Sequence, residues 1–227
     1  MSEKYGSEVK TSQTHEQWVY PSLMNITEYI RSLIQYDNPI LPELEPQETT
    51  RADTRSFIEP EIAKLINIFI LSTNAKNVLE LGTCVGYSGI WMAEALKKTG
   101  GLLTTVEYDL DLLKEAKNNF EKAGVSSQIK ILEGDISAVI KKLQNESFDI
   151  LFQDARKSLY PELLDDCVRL VKQGGLIIAD DTLYTRNGTA ERIREPLKKY
   201  NELVFADKRL YSVAISVGEG LTISFKQ

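Results

Sequence analysis

Two stretches of the chain place carboxylates where apolar runs end. In FDILFQDARKSLY (148–160), Phe148 to Phe152 reads as a buried strand, and Asp154, Arg156 and Lys157 follow it closely. In GGLIIADDTLY (174–184), an apolar strand ends in the pair Asp180-Asp181. Most strands end in polar residues that do no more than cap a loop. Neighbouring parallel strands, though, open their carboxyl ends onto one crevice, where ligands bind. Three carboxylates gathered there repel one another unless a cation lies among them. An all-oxygen donor set selects a hard ion, with Mg²⁺ the first choice and Ca²⁺ or Mn²⁺ the alternatives.

A second constellation precedes it. VLELGTCVGYSG (78–89) joins an apolar strand to a helix, and Gly82 and Gly86 flank the turn between them. Without Cβ atoms they allow a tight turn and a close approach to a ligand. The helix start that follows offers free N–H groups, and Ser88 adds a hydroxyl. The next strand ends in Glu107, roughly twenty residues on, where a carboxylate can accept from both ribose hydroxyls. The G-x-G-x-x-G spacing of dinucleotide enzymes is absent. Glu80, just before the turn, would repel a pyrophosphate and attract a methionyl ammonium. That favours S-adenosylmethionine over NAD. A glycine turn with no ligand is the plainer reading of the turn alone, and Glu107 argues against it.

These residues need a frame. Helical spacing runs from Glu16 to Gln35, through Val19, Leu23, Ile26, Ile30, Leu33 and Ile34. DNPILPELEPQETT, with Pro39, Pro42 and Pro46, reads as an extended linker. A helix from Ile58 to Ser72 has Pro60 in its first turn. Strands at 77–81, 102–107, 128–132, 148–152 and 175–179 then alternate with helices at 87–98, 110–123, 136–143 and 160–171. This alternation predicts an α/β fold, a parallel sheet with right-handed crossovers and helices on both faces. After a helix at 190–200, LYSVAISV and LTISFK flank GEG, a hairpin signal that ends the sheet antiparallel.

Composition removes several classes of chemistry. His15 is the chain's single histidine, so a Ser-His-Asp triad or a histidine-rich zinc site would have to use it. It stands in a polar N-terminal segment and reads as solvated. Two cysteines, Cys84 and Cys167, make no disulfide framework. The net charge of −6 argues mildly against broad nucleic-acid binding. No apolar run is long enough to span a bilayer, and residues 1–10 lack a signal-peptide core, so a cytoplasmic location is expected. Trp91 and Met92 read as helix packing and Cys84 as a small filler of its turn. For Trp18 and Tyr20, packing is preferred over lining a substrate mouth.

Taken together, VLELGTCVGYSGIWMA, GDI (134–136), FDILFQDARKSLY, GGLIIADDTLY and VGEGLTISFK resemble the metal-dependent class I O-methyltransferases, the family of caffeoyl-CoA and catechol O-methyltransferases and their bacterial relatives. The resemblance covers about residues 55–227 and meets the motifs in order. It implies a Rossmann-like, seven-stranded, mostly parallel sheet with an antiparallel last strand. It divides the chain into residues 1–54, a helix and linker serving as substrate lid or dimer contact, and a methyltransferase domain over 55–227. Glu80, Gly82, Thr83 and Ser88 would surround the methionyl part of the cofactor, Glu107 the ribose, and Gly134, Asp135 and Ile136 the adenine. Ile58 and Asp154 are further candidates for cofactor contact. Asp154, Asp180 and Asp181 would chelate the metal, and Lys157 would take the proton from a small catechol-like acceptor. A homodimer is implied as well.

Two positions depart from the family pattern. Asp180-Asp181 stands where Asp-Asn is usual, and Arg156 stands where plant relatives carry an acid that meets the cofactor's ammonium. Arg156 is expected to face solvent or an anionic substrate. Two other functions compete, the first from the same superfamily and the second from a different class. One is methylation of a wobble hydroxyuridine in tRNA, and the other is non-catalytic S-adenosylmethionine binding, against which Asp154, Lys157 and Asp180 speak.

Overall fold

The computed structural model describes residues 25–48, 57–183 and 190–227. The chain forms two compact units, residues 1–33 and 34–227. In the first, helix α1 spans Ile26–Ser32 and opens on a capping box. Asn25 Oδ1 accepts from the Thr27 N–H (3.1 Å), and Glu28 reaches back to the Asn25 N–H (3.2 Å). The expected helix therefore ends near Ser32, short of Gln35; its first part, with Trp18 and Tyr20, lies outside the described residues, as does His15 before it.

The second unit begins with a correction. Leu41–Glu48 is a helix, α2, where three prolines predict an extended linker. Pro42 falls in the first turn, where an N–H has no intrahelical partner anyway. Leu41 and Leu44 are buried in the core, and that burial outweighs the hydrogen bond forgone at Pro46. Asn38, just before α2, donates to Glu94 Oε1 (2.7 Å) and to the Ala123 carbonyl (2.8 Å), which fastens this strap to the domain.

Helix α3 (Pro60–Ser72) leads into β1 (Asn77–Leu81), α4 (Tyr87–Thr99), β2 (Leu102–Glu107), α5 (Leu110–Lys122) and β3 (Ile129–Glu133). Short helix α6 (Ile136–Val139), β4 (Phe148–Gln153), α7 (Tyr160–Leu170), β5 (Val171–Ala179), α8 (Glu191–Ala206), β6 (Leu210–Ile215) and β7 (Leu221–Lys226) follow. The strands form one seven-stranded sheet in the order β3-β2-β1-β4-β5-β7-β6. Neighbours from β3 to β5 are parallel, and β7 runs antiparallel to both β5 and β6. The antiparallel ending predicted from the GEG hairpin is therefore present, with β7 inserted inside β6.

Strand alternation divides the core. Val78, Ile150, Phe152 and Ile178 face the cluster beneath α3, α4 and α5. Leu79, Leu81, Leu151 and Ile177 face the cluster beneath α7 and α8. Trp91 and Met92 are fully buried, as packing residues should be. β5 starts at Val171, four residues before the expected strand, and its pairing with β4 shifts register between Phe148 and Ile150. Helix α8 runs on to Ala206, past Tyr200, because Leu197, Tyr200 and Val204 continue its buried stripe.

Candidate active site

The parallel order puts the carboxyl ends of β1, β2, β4 and β5 side by side. The turn after β1 is built first. Gly82 has φ 110° and Gly86 φ 87°, both in the region that suits glycine. A Cβ on Gly82 would collide with the Asp154 carbonyl oxygen, and one on Gly86 would lie 2.5 Å from the Phe120 ring. These glycines admit protein neighbours, β4's end and α5, as directly as they would a ligand.

Behind the turn lies a buried network. Ser88 donates to Glu80 Oε1 and Thr105 donates to Glu80 Oε2 (2.6 Å), while the Thr83 and Thr105 hydroxyls meet at 2.6 Å. All four side chains are buried, Glu80 and Thr105 completely. Burial raises the Glu80 carboxyl from an ordinary value near 4.5 to about 8, against the pull of its two hydroxyl donors, with Asp154 and Glu107 pushing the same way as burial. Thr105 carries no motif and was invisible to sequence reading. Its only signal was a hydroxyl on a strand beside a buried acid.

Glu107 is pinned by three backbone N–H groups. Cys84 donates to its Oε2 (2.9 Å), and Tyr108 and Asp109 donate to its Oε1 (3.0 and 3.1 Å). Gly134, after β3, donates its N–H to the Glu107 carbonyl (2.9 Å), and Asp135 caps α6 by accepting from Ala138 (3.3 Å). Ile136 is buried at the start of α6. Ile58 is buried in the core cluster beneath α3 and α4.

At the ends of β4 and β5 the acidic residues do meet. Carboxylate oxygens of Asp154, Asp180 and Asp181 lie within 4.8 Å of one another. Asp180 is 3% exposed, and its Oδ1 has no hydrogen-bond partner among the described residues. Lys157 Nζ lies among them, 2.8 Å from Asp154 Oδ1 and 2.9 Å from Asp181 Oδ2. Its third partner is the Tyr160 hydroxyl at 3.0 Å, a residue that sequence reading passed over.

The electrostatics follow from that crowding. Burial acts most strongly on Lys157 and pushes it down, but Asp154, Tyr160, Asp181 and Asp180 together lift it well above its ordinary range. Burial raises Asp180 well above the carboxylate range; Asp154, Asp181 and Glu59 add to the rise, and Lys157 opposes it. The donor set suits a divalent ion: three carboxylates in reach of one another, one with a buried oxygen that has no partner among the described residues.

The loop beyond Asp181 is tied down as well. The Thr182 N–H donates to the Gly220 carbonyl and that of Leu183 to the Glu219 carbonyl, both at 2.9 Å. Asn201 Nδ2 donates to the Thr182 carbonyl (2.8 Å), and the Thr182 and Thr222 hydroxyls meet at 2.7 Å. Arg156 is exposed.

Comparison with known proteins places this architecture. A family model described as O-methyltransferase matches residues 31–227, reaching further toward the N-terminus than the motifs do and taking in α2. A protein of Niastella koreensis named catechol O-methyltransferase is 32% identical over 190 residues, 81% of this chain and 86% of its own length. An Arabidopsis thaliana protein named for caffeoyl-CoA O-methylation is 29% identical over 213 residues, 87% of this chain and 91% of its own. Among solved structures, a Klebsiella pneumoniae protein described as an O-methyltransferase superposes with a TM-score of 0.76 at 28% identity, covering 89% of this chain and 96% of that one. The Bacillus cereus O-methyltransferase, solved in complex with SAH, gives 0.77 at 22% identity over 89% of this chain and 97% of its own, a likeness of fold. Strand order, motif order and sequence relatives converge on one assignment: the chain belongs to the class I S-adenosylmethionine-dependent O-methyltransferase family.

Proposed function

We propose that the chain methylates one hydroxyl of a small, vicinally dihydroxylated aromatic, a catechol-like acceptor, with a divalent cation held by Asp154, Asp180 and Asp181. The observation that carries this reading is the convergence of those carboxylates around Lys157, with Asp180 Oδ1 left unpaired, beside the turn after β1. Gly82 and Asp154 are in such close backbone approach that cofactor turn and acidic cluster form one site.

A bound divalent cation supplies charge that acidifies a phenol hydroxyl, and S-adenosylmethionine supplies the methyl group on its sulfonium. The chain's own residues do the rest. Glu107, held in place by three N–H groups, keeps one accepting site, on Oε2, for a ribose hydroxyl. Glu80, Thr83, Ser88 and Thr105 brace the turn whose backbone faces the methionyl part. Gly134, Asp135 and Ile136 border the adenine. Lys157 takes the hydroxyl proton. The charges of Asp154 and Asp181 hold Lys157 as an ammonium, so engaging those carboxylates as metal ligands loosens that hold. Positioning and charge account for most of the rate, since the methyl group needs no covalent carrier on the protein.

The test is methyl transfer at physiological salt to a panel of catechols and to hydroxyuridine-containing tRNA, each with Mg²⁺ and with chelator. The expected result is Mg²⁺-dependent turnover of a catechol that chelator abolishes. Full activity after exhaustive chelation refutes the metal assignment. A higher kcat/KM on the tRNA replaces the acceptor class.

A further inference from the structure

Tyr160, the first residue of α7, does more than fill space. It is fully buried, with its ring edge-on to Tyr200 at 5.4 Å. Its hydroxyl lies 2.9 Å from the Gln153 carbonyl and 3.1 Å from that of Asp180, so one phenolic proton is shared between the ends of β4 and β5. Those carbonyls belong to the residue before Asp154 and to Asp180 itself. The same hydroxyl accepts from Lys157 Nζ at 3.0 Å, and Lys157 Nζ stands 5.1 Å from the centre of the Tyr160 ring.

A lysine ammonium has three N–H donors. Those of Lys157 are taken by Asp154 Oδ1, Asp181 Oδ2 and Tyr160 Oη. The function proposed above, on which this step rests, assigns the first two partners to the metal. Among the described residues, Tyr160 is then the one partner of Lys157 that the metal does not claim. It is also anchored to both strand ends that carry the carboxylates, so its hydroxyl fixes Lys157 relative to them. We infer that Tyr160 is a positioning residue that aims Lys157 at the acceptor hydroxyl.

The experiment is a double-mutant cycle of Tyr160→Phe and Lys157→Ala. Tyr160→Phe keeps the ring and its contact with Tyr200, and the Gln153 carbonyl retains the Asp180 N–H at 3.0 Å, so the ends of β4 and β5 stay joined. In an otherwise wild-type chain, the change is expected to lower kcat on the best catechol on the order of 10- to 100-fold, the scale of a small misplacement of a reacting group. KM for S-adenosylmethionine and Mn²⁺ affinity by calorimetry should stay essentially constant, and Tm should fall only by a few degrees, because the Asp180 carbonyl and one Lys157 N–H lose a buried partner. In the Lys157→Ala background the same change should cost nothing further. An equal loss in both backgrounds overturns the inference, because Tyr160 then acts independently of Lys157. So does an unchanged kcat, or a loss confined to Mn²⁺ affinity, which would mean that Tyr160 only spaces the carboxylates. Wild-type kcat in Lys157→Ala alone is a separate failure, since it removes the proton acceptor from the proposed function.

Discussion

Asp181 combines a charge with an unusual backbone. Its φ is 58°, in the left-handed region that asparagine and aspartate tolerate and branched residues do not. Asp181→Asn should therefore leave stability within about 0.5 kcal/mol and retain turnover, while calorimetry shows weaker divalent binding. Asp181→Val adds backbone strain of about 1–2 kcal/mol and should lose both metal and activity. Glu80 makes a different demand. Its folded pKa of about 8 lies above its ordinary 4.5, so between those values the folded chain holds a proton that the unfolded chain has released. Stability therefore falls as pH rises through this window. Glu80→Gln keeps an acceptor for one hydroxyl and removes the titration. Its Tm should decline less than that of the wild-type chain between about pH 5 and about pH 8. Parallel declines in the two proteins would place the titrating group elsewhere.

Gly82 is where two elements touch. Gly82→Ala drives a methyl group into the Asp154 carbonyl and strains a φ of 110°. A cost of about 1–3 kcal/mol is expected, with SAH and Mn²⁺ affinity falling together. Gly100→Ala is the control, because φ there is 71° but nothing lies within 4 Å of the added carbon. If Gly82→Ala weakens only one ligand, the two halves of the site are not mechanically joined. This joint marks the limit of what the sequence disclosed. Asp154, Asp180, Asp181 and Lys157 were legible because strand ends in a parallel sheet share one edge, a rule that needs no side-chain packing. The partners Thr105–Glu80, Phe120–Gly86 and Tyr160–Lys157 were not read, because each pair is set by how separate elements or turns pack. Helix α2 was misread for a related reason. Its prolines are local signals against a helix, whereas the burial of Leu41 and Leu44 that favours it is a property of the folded domain.

At the scale of the whole molecule, a ligand that binds only the folded chain stabilises it by mass action. SAH at about 100 times its Kd contributes about 2.7 kcal/mol, which for a chain of this size raises Tm by roughly 5–10 °C. NAD should give no such shift. Glu107→Ala should weaken SAH by about 1.5–3 kcal/mol and remove much of the rise. An equal response to NAD would overturn the cofactor assignment. The placement of β7 bears on how the molecule is made. This strand follows all the others in chain order, yet it lies between β5 and β6, and the Gly220 and Glu219 carbonyls just before it hold the loop that carries Asp181. During synthesis the first five strands can assemble while the ribosome still holds the rest. Such an intermediate would have an open β5 edge, a template for unwanted pairing, and an Asp180-Asp181 loop not yet tied to Glu219 and Gly220. Covering the β5 edge and tying the Asp180-Asp181 loop therefore both wait on one strand, β7.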